Sequence, residues 1–516
     1  MTDKTRKNIH PLNRAARNMA WLFLGKLFIA LARFFSIPLI LGHYGKVNYG
    51  LVILAMALSG YMNIANLALP TGMIKHAAAW LGTGRIDKLS NASRSSFVFY
   101  SGVGLLNFLV FVLLALFGLH LFNVPLDKLR DLQQIFIIAA IATLFTWPFS
   151  LVEQLLSGAE ELSWLAKTEM LQEFARLSVI ITAIWMDISI VWFFLLYVTA
   201  SKFAIPLNLM KWRSYVPLLQ SFKPGWYWKD FKEVLVFSIG LLVIALSVTS
   251  AMQLRPIVLA VRATDGVSTV AEYQIIFGIT SILIVLNGVI RTSILPVASK
   301  VYANGDWKLI ESILFKVTKY AWSFLALILF GTMMISDRLL TVYVGYQYAD
   351  LAPWLIVWLS AFLFLYLGPA ASVVMGTGKI KLLMLSSPTA AVISIALAWV
   401  LSPKLNVGAV AISTLAYYGF QFLIYHIYYL PRVLKASSIR MLRQSFLPPV
   451  IAGLLMVIAG RGLATVLFPK NPYFWILVAS TTGLSVYVLY ILLFSIRPPE
   501  LIDVYGKIRL GKASIQ

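Results

Sequence analysis

Runs of about twenty apolar residues recur along the chain, each long enough to cross a hydrocarbon core of about 30 Å as a helix. Hydrocarbon offers the backbone no hydrogen-bond partner, so such runs form helices or close into a barrel. The alternating apolar segments of an outer-membrane barrel are absent. Only 12% of the 516 residues are charged and mean hydropathy is +0.83, against about a quarter charged in soluble domains. The fold class is therefore an all-α polytopic membrane protein. Cysteine is absent, which excludes disulfides, thiolate metal sites and a thiol nucleophile.

Fourteen spans are predicted, near 19–41, 49–72, 97–120, 134–157, 166–186, 188–210, 233–254, 269–295, 317–336, 351–372, 382–402, 408–430, 446–466 and 473–496. The fifth carries charges and the eighth is long. The basic amino terminus leads into an apolar stretch longer than a signal-peptide core, with no clear small-residue cleavage site, and is read as a retained first helix. With that terminus inside, 29 of the 43 Lys and Arg fall in inner segments, nine in outer loops and five within spans. The positive-inside rule then places both termini in the cytoplasm. The same loops account for the net charge of +23, so nucleic acid is not an expected partner.

Short patterns recur. Pro38 to Gly50 reads PLILGHYGKVNYG, and a helix ends at Leu69-Pro70 before Gly84. Pro256-Ile257-Val258-Leu259 leads to Tyr273, and a helix ends at Leu295-Pro296 before Gly305. Ser157-Gly158-Ala159 follows the fourth span as Met375-Gly376-Thr377-Gly378 follows the tenth. The offsets between the matching patterns drift by only a few positions and are close to the spacing of two six-helix units. Six being even, both units enter the membrane in the same orientation, a parallel repeat that encloses a central path. The expected organisation is a lobe over 1–210, a basic cytoplasmic linker over 211–232, a second lobe over 233–430, and over 431–516 a basic loop, a helix pair and a cytoplasmic tail.

The Gly-rich turn with Tyr49-Gly50, the helix ending at Leu67 to Pro70, Tyr343-Val344-Gly345-Tyr346-Gln347-Tyr348 and Gly376-Thr377-Gly378-Lys379 resemble the polysaccharide-transport (Wzx-type) flippases. That family belongs to the multidrug/oligosaccharidyl-lipid/polysaccharide exporter superfamily. The resemblance covers nearly the whole chain and rests on diffuse patterns. It implies two six-helix lobes around a cleft lined by spans one, two, seven and eight, working by alternating access in a bacterial inner membrane. It also implies an undecaprenyl-pyrophosphate-linked oligosaccharide as substrate, for O-antigen, capsule or exopolysaccharide synthesis, with a polymerase and chain-length proteins as partners. A peptidoglycan lipid-precursor flippase and an ion-coupled multidrug extruder stay open as alternatives.

Embedded charges cost about 3 kcal/mol each at mid-bilayer and so face protein or water. Lys26 and Arg33, seven residues apart, share a face of span one. Either they form a cationic patch for a diphosphate, or Arg33 has a structural partner and Lys26 snorkels. Glu169, Glu173, Arg176 and Asp187 are spaced to share one face of span five. Glu173 and Arg176 read as a local pair or, with Asp187, as a group for H+ or Na+ coupling or gating. By the resemblance, Arg255 and Arg291 are phosphate contacts at opposite ends of the path; without it they are interfacial anchors. Asn63 and Asn66 share a face and suit sugar hydroxyls or interhelical packing. No GxxxxGK[ST] loop occurs, the first outside loop (42–48) has no carboxylate, and the five histidines show no metal-ligand spacing. These features favour a transporter over an ATPase or a membrane glycosyltransferase, with no cofactor.

Overall fold

The computed structural model describes residues 11–62, 69–303, 305, 307–468 and 470–495; among them all regular structure is helical and no strand occurs. Helix α1 (Pro11–Met62) carries the first two predicted spans. The expected outside loop 42–48 shrinks to one non-helical residue, Gly45 (φ 74°, ψ 169°), a conformation glycine adopts without a Cβ clash. There follow α2 (Leu69–Gly82), α3 (Ile86–Phe117), α4 (Leu129–Gly158) and α5 (Leu162–Trp185). The sixth predicted span is broken into α6 (Ile190–Ala200) and α7 (Ala204–Arg213). Pro206 has no N–H for the Lys202 carbonyl four residues earlier, which ends the helical ladder at that point.

Short α8 (Leu218–Phe222) leads to α9 (Trp228–Arg262) and α10 (Val267–Ala303), the long eighth span, which is one helix. After α11 (Trp307–Ser312) and a π-helical turn comes α12 (Thr318–Val344). The tenth span is built from α13 (Ala352–Ala361), a 3-10 segment Phe362–Leu367 and α14 (Gly368–Thr377). The series closes with α15 (Lys381–Leu405), α16 (Val407–Ile424), α17 (Ser438–Met441), α18 (Leu447–Leu467) and α19 (Pro472–Tyr490). Asn471 caps α19, its side chain accepting from the amides of Tyr473 and Phe474 at 3.0 and 3.2 Å. Among the described residues, eleven helical stretches are long and apolar enough to cross a membrane. One of them, Ala20–Tyr61, covers two predicted spans; α5 and α9, which match the fifth and seventh, are outside that set.

The parallel repeat is visible in the backbone. Among the described residues, eight of the ten with positive φ form pairs: Gly45 with Gly266, Gly84 with Gly305, Glu160 with Gly378, and Asp187 with Asn406; Gly345 and Lys435 stand alone. The four pairs have nearly the same separation along the chain. Pro38 in α1 and Pro256 in α9, each inside its helix, are as far apart as Glu160 and Gly378. Chain reversals therefore recur at the same places in two six-span halves, followed by the pair α18 and α19.

By their contacts the residues fall into two compact units, Met1–Ile282 with Ser387–Ser413, and Leu283–Ser386 with Thr414–Gln516. In the first unit, Trp80, Tyr100, Trp147, Trp212 and Phe231 are buried in one core, and the Tyr100 hydroxyl donates to Gln154 Oε1 at 3.0 Å. Residues of the predicted linker are folded onto α3: Arg94 Nε donates to the Gln220 carbonyl (3.0 Å) and the Tyr227 amide to Ser95 Oγ (2.7 Å). Helix α3 is polar inward and apolar outward. Ser93, Ser96 and Asn107 are buried, while Leu105, Leu109, Leu113 and Leu116 are exposed along one stripe suited to lipid.

In the second unit, glycines let α12, α18 and α19 approach closely. A Cβ at Gly460 would stand 2.7 Å from the Ala479 carbonyl oxygen, and one at Gly483 2.9 Å from Met334 Sδ. Arg461 of α18 closes the group, pairing with Asp337 at 2.6 Å and donating to the Met334 carbonyl at 2.7 Å. Gly460→Val should cost about 1–3 kcal/mol by overpacking and lower the melting temperature of the purified protein. Gly462→Ala, whose Cβ would meet nothing within 4 Å, should leave that temperature unchanged or raise it.

Candidate functional site

Three embedded cations of the first unit converge from α1, α5 and the α6–α7 break. A cavity of about 390 Å³ opens there, lined among others by Arg33 of α1, Arg176 of α5, Tyr197 of α6 and Lys202 of the α6–α7 break, with Thr146 and Trp147 of α4 opposite. No carboxylate is among its lining residues. Its volume is at the lower end of about 300–1,000 Å³, the usual size of small-molecule sites. It suits a charged head group rather than a whole lipid-linked glycan.

The three cations differ in how they are balanced. Arg176 is paired through Nη1 with Glu173, a residue only 2% exposed. Its guanidinium lies 5.8 Å from the centre of the Tyr197 ring, and its buried Nε has no hydrogen-bond partner among the described residues. Arg33 is exposed and, among the described residues, has no carboxylate within 4.0 Å and no side-chain hydrogen bond. Lys202 likewise makes no ion pair there, although the charge of Glu153 in α4 acts on it. With Arg176 balanced by Glu173 and the charge of Glu153 acting on Lys202, the wall facing the cavity is left net positive, most fully at Arg33. A dianion with several acceptor oxygens complements that wall, and a guanidinium can grip it in bidentate fashion.

Other expected site residues are placed differently. Lys26 has a structural partner: its Nζ pairs with Glu169 Oε2 of α5 at 2.9 Å, both side chains being about half exposed. Asp187 does not continue the stripe of Glu169, Glu173 and Arg176. Helix α5 ends at Trp185, and Asp187 occupies a left-handed turn (φ 50°) with its side chain 93% exposed. There its Oδ1 lies 3.3 Å from His43 Nε2, and the neighbouring Ile188 carbonyl accepts from the Tyr44 hydroxyl at 2.6 Å. Arg255 is 3% exposed, with Nη2 3.4 Å from Ser394 Oγ of α15, packed away from solvent. Arg291 belongs to the second unit, exposed on α10 and lying over Gly368; its carbonyl accepts from Ser372 Oγ at 2.9 Å. Asn63 and Asn66 lie outside the described residues.

Lys202 and Tyr197 are among the cavity residues that sequence reasoning passes over. Lys202 reads as one more basic residue near the inner end of a span. The signal that singles it out is Pro206, which breaks the helix and turns residue 202 into a junction.

The sequence matches no family profile and no curated protein. Solved structures are similar to it in fold. The lipid II flippase MurJ in an inward closed conformation superimposes with a TM-score of 0.65 and 12% identity, over 91% of this chain and 97% of that one. The MATE multidrug transporter DinF-BH in complex with R6G gives 0.58 and 15%, over 80% and 95%. An inward-facing multidrug resistance MATE family transporter of the MOP superfamily gives 0.57 and 14%, over 78% and 92%. At such identities the likeness establishes the fold alone, one shared with this lipid II flippase and these MATE transporters.

Breaking the buried Glu173–Arg176 pair from one side should cost about 3–5 kcal/mol, because it strands the other charge. Melting temperatures of Glu173→Ala, Arg176→Ala and the double variant form a double-mutant cycle. The double variant should lose less than the sum of the two single losses, and Arg33→Ala should melt with the wild type.

Proposed function

We propose that this chain is a flippase that carries an undecaprenyl-pyrophosphate-linked oligosaccharide from the cytoplasmic to the outer leaflet by alternating access. The observation that carries the reading is the cavity walled by Arg33, Arg176 and Lys202 without a carboxylate. A doubly charged diphosphate is the part of such a lipid that hydrocarbon excludes most strongly. Arg33 and Lys202 offset that cost and Arg176 adds a guanidinium held in place by Glu173 and Tyr197. The glycan would then occupy water and the polyprenyl chain lipid, so the protein needs to shelter only the head group. A drug cation would meet repulsion at the same wall, which weighs against the multidrug extruder despite the shared fold. The fold likeness to a lipid II flippase over 91% of this chain supports a lipid-linked peptidoglycan precursor as a second reading, since it presents the same diphosphate. Coupling to an H+ or Na+ gradient, on this reading, involves the buried pair of Glu173 and Arg176, and the flipped product passes to a polymerase and chain-length proteins.

Flipping of a labelled undecaprenyl-pyrophosphate oligosaccharide in proteoliposomes tests the proposal. Arg33→Ala and Lys202→Ala should each slow flipping by about tenfold or more, the worth of a charge-assisted hydrogen bond, with protein abundance in the membrane intact. Wild-type rates in Arg33→Ala would remove the diphosphate from this cavity. Faster flipping of lipid II than of any oligosaccharide would favour the second reading.

A further inference from the structure

The last third of the chain carries a charge pattern that transport of a head group does not require. From residue 351 to residue 499 the sequence holds ten Lys and Arg and no Asp or Glu. Four of the ten, Arg432, Lys435, Arg440 and Arg443, fall in the connection between α16 and α18, on the face that the Lys and Arg distribution assigns to the cytoplasm.

A cavity of about 320 Å³ lies between this connection and α11 with its π-helical turn. Its walls include Trp307, Glu311, Phe315, Lys435, Ser437 and Arg440. Lys435 has φ 53°, a left-handed conformation that costs a Cβ-bearing residue energy and is kept where surrounding structure enforces it. The result holds its Nζ 4.8 Å from the centre of the Trp307 ring, with no carboxylate within 4.0 Å among the described residues. Arg440 sits over Phe315 at 4.7 Å and pairs with Glu311 at 2.7 Å, while its Nη2 has no hydrogen bond among the described residues. Ser437 fixes the turn by accepting from the Arg440 amide at 3.3 Å. Beside these cations Ile439 is 78% exposed and Leu309 is also exposed. Cations and an indole in one cavity, with bare aliphatic side chains next to them in the sequence, fit the boundary between head groups and acyl chains.

We infer that this cavity is a binding site for the phosphate of an anionic phospholipid, held by Lys435 and Arg440, with Ile439 and Leu309 among the acyl chains. Basic pockets on the cytoplasmic side of helical membrane proteins take such head groups because the inner leaflet is rich in them and the attraction is short-ranged. A zwitterionic lipid brings its own cation to the same place and gains less.

The test uses the full chain in nanodiscs of phosphatidylcholine with a minor fraction of phosphatidylglycerol or cardiolipin, reading retained lipid by native mass spectrometry. Wild type should retain the anionic lipid over phosphatidylcholine, less so as salt is raised. Lys435→Gln and Arg440→Gln should each weaken retention about fivefold, and Lys404→Gln, from the same acid-free stretch, should not. Lys435→Gln breaks no ion pair, so an unchanged melting temperature in pure phosphatidylcholine separates lost binding from lost folding. For Arg440, whose loss also strands Glu311, Arg440→Lys should restore most of the retention. Equal retention of both lipids by wild type, or full retention by Lys435→Gln, would overturn the site. Inorganic phosphate that binds as tightly and displaces the lipid would assign the cavity to a free phosphate, which also overturns it.

Discussion

An ion inside a membrane protein needs a counter-charge, a polar shell or water, and each embedded charge of the first unit takes one of these solutions. Glu173 and Arg176 neutralise each other inside α5. Lys26 reaches across to Glu169. Arg255 is enclosed with a hydroxyl from α15. Arg33 has no carboxylate within 4.0 Å among the described residues and Lys202 feels Glu153 only at a distance, so their solvation falls largely to the cavity they line. At about 3 kcal/mol for a charge at mid-depth, two such residues would be a standing penalty unless that space is wet or holds an anion. The polar cavity follows from the charges as much as the reverse.

Backbone breaks decide where those charges stand. A helix that ran unbroken through residues 190–213 would put Lys202 at a set angle on a regular surface. Pro206 ends the ladder instead, and the turn at 201–203 carries the ammonium to the cavity wall. In the same way, Trp185 ends α5 early enough to send Asp187 out to His43. Helix termini, more than helix faces, sort the functional side chains here.

Much of this architecture is legible in the residues. Apolar run length places the spans, because hydrocarbon thickness leaves helix length little freedom, and the repeated turn patterns anticipate the paired left-handed residues. Rotation about each helix axis is harder to read. In water an apolar stripe marks the buried side, but in lipid both sides are apolar: Phe111 of α3 is buried and Leu113 exposed, with nothing in their chemistry to separate them. Arg255 therefore reads as part of the path although it is enclosed, and spacing gives Asp187 a helical face that the helix never reaches. The pair of Glu173 with Arg176 is accessible from the sequence because three-residue spacing is a local rule. Lys26 with Glu169, 143 positions apart, obeys no local rule.

The repeat also supplies an internal control for the charged cavity. Carried along the chain by the offsets of the paired left-handed residues and paired prolines, Arg33 corresponds to Ala251, Glu173 to Val392, Arg176 to Ile395 and Lys202 to Gln421. The second copy of the framework thus forms the same succession of helices and reversals with every one of those ions replaced by a neutral residue. The charges are no requirement of the architecture. They are a departure from the repeat, present in one copy of the pattern and absent from the other.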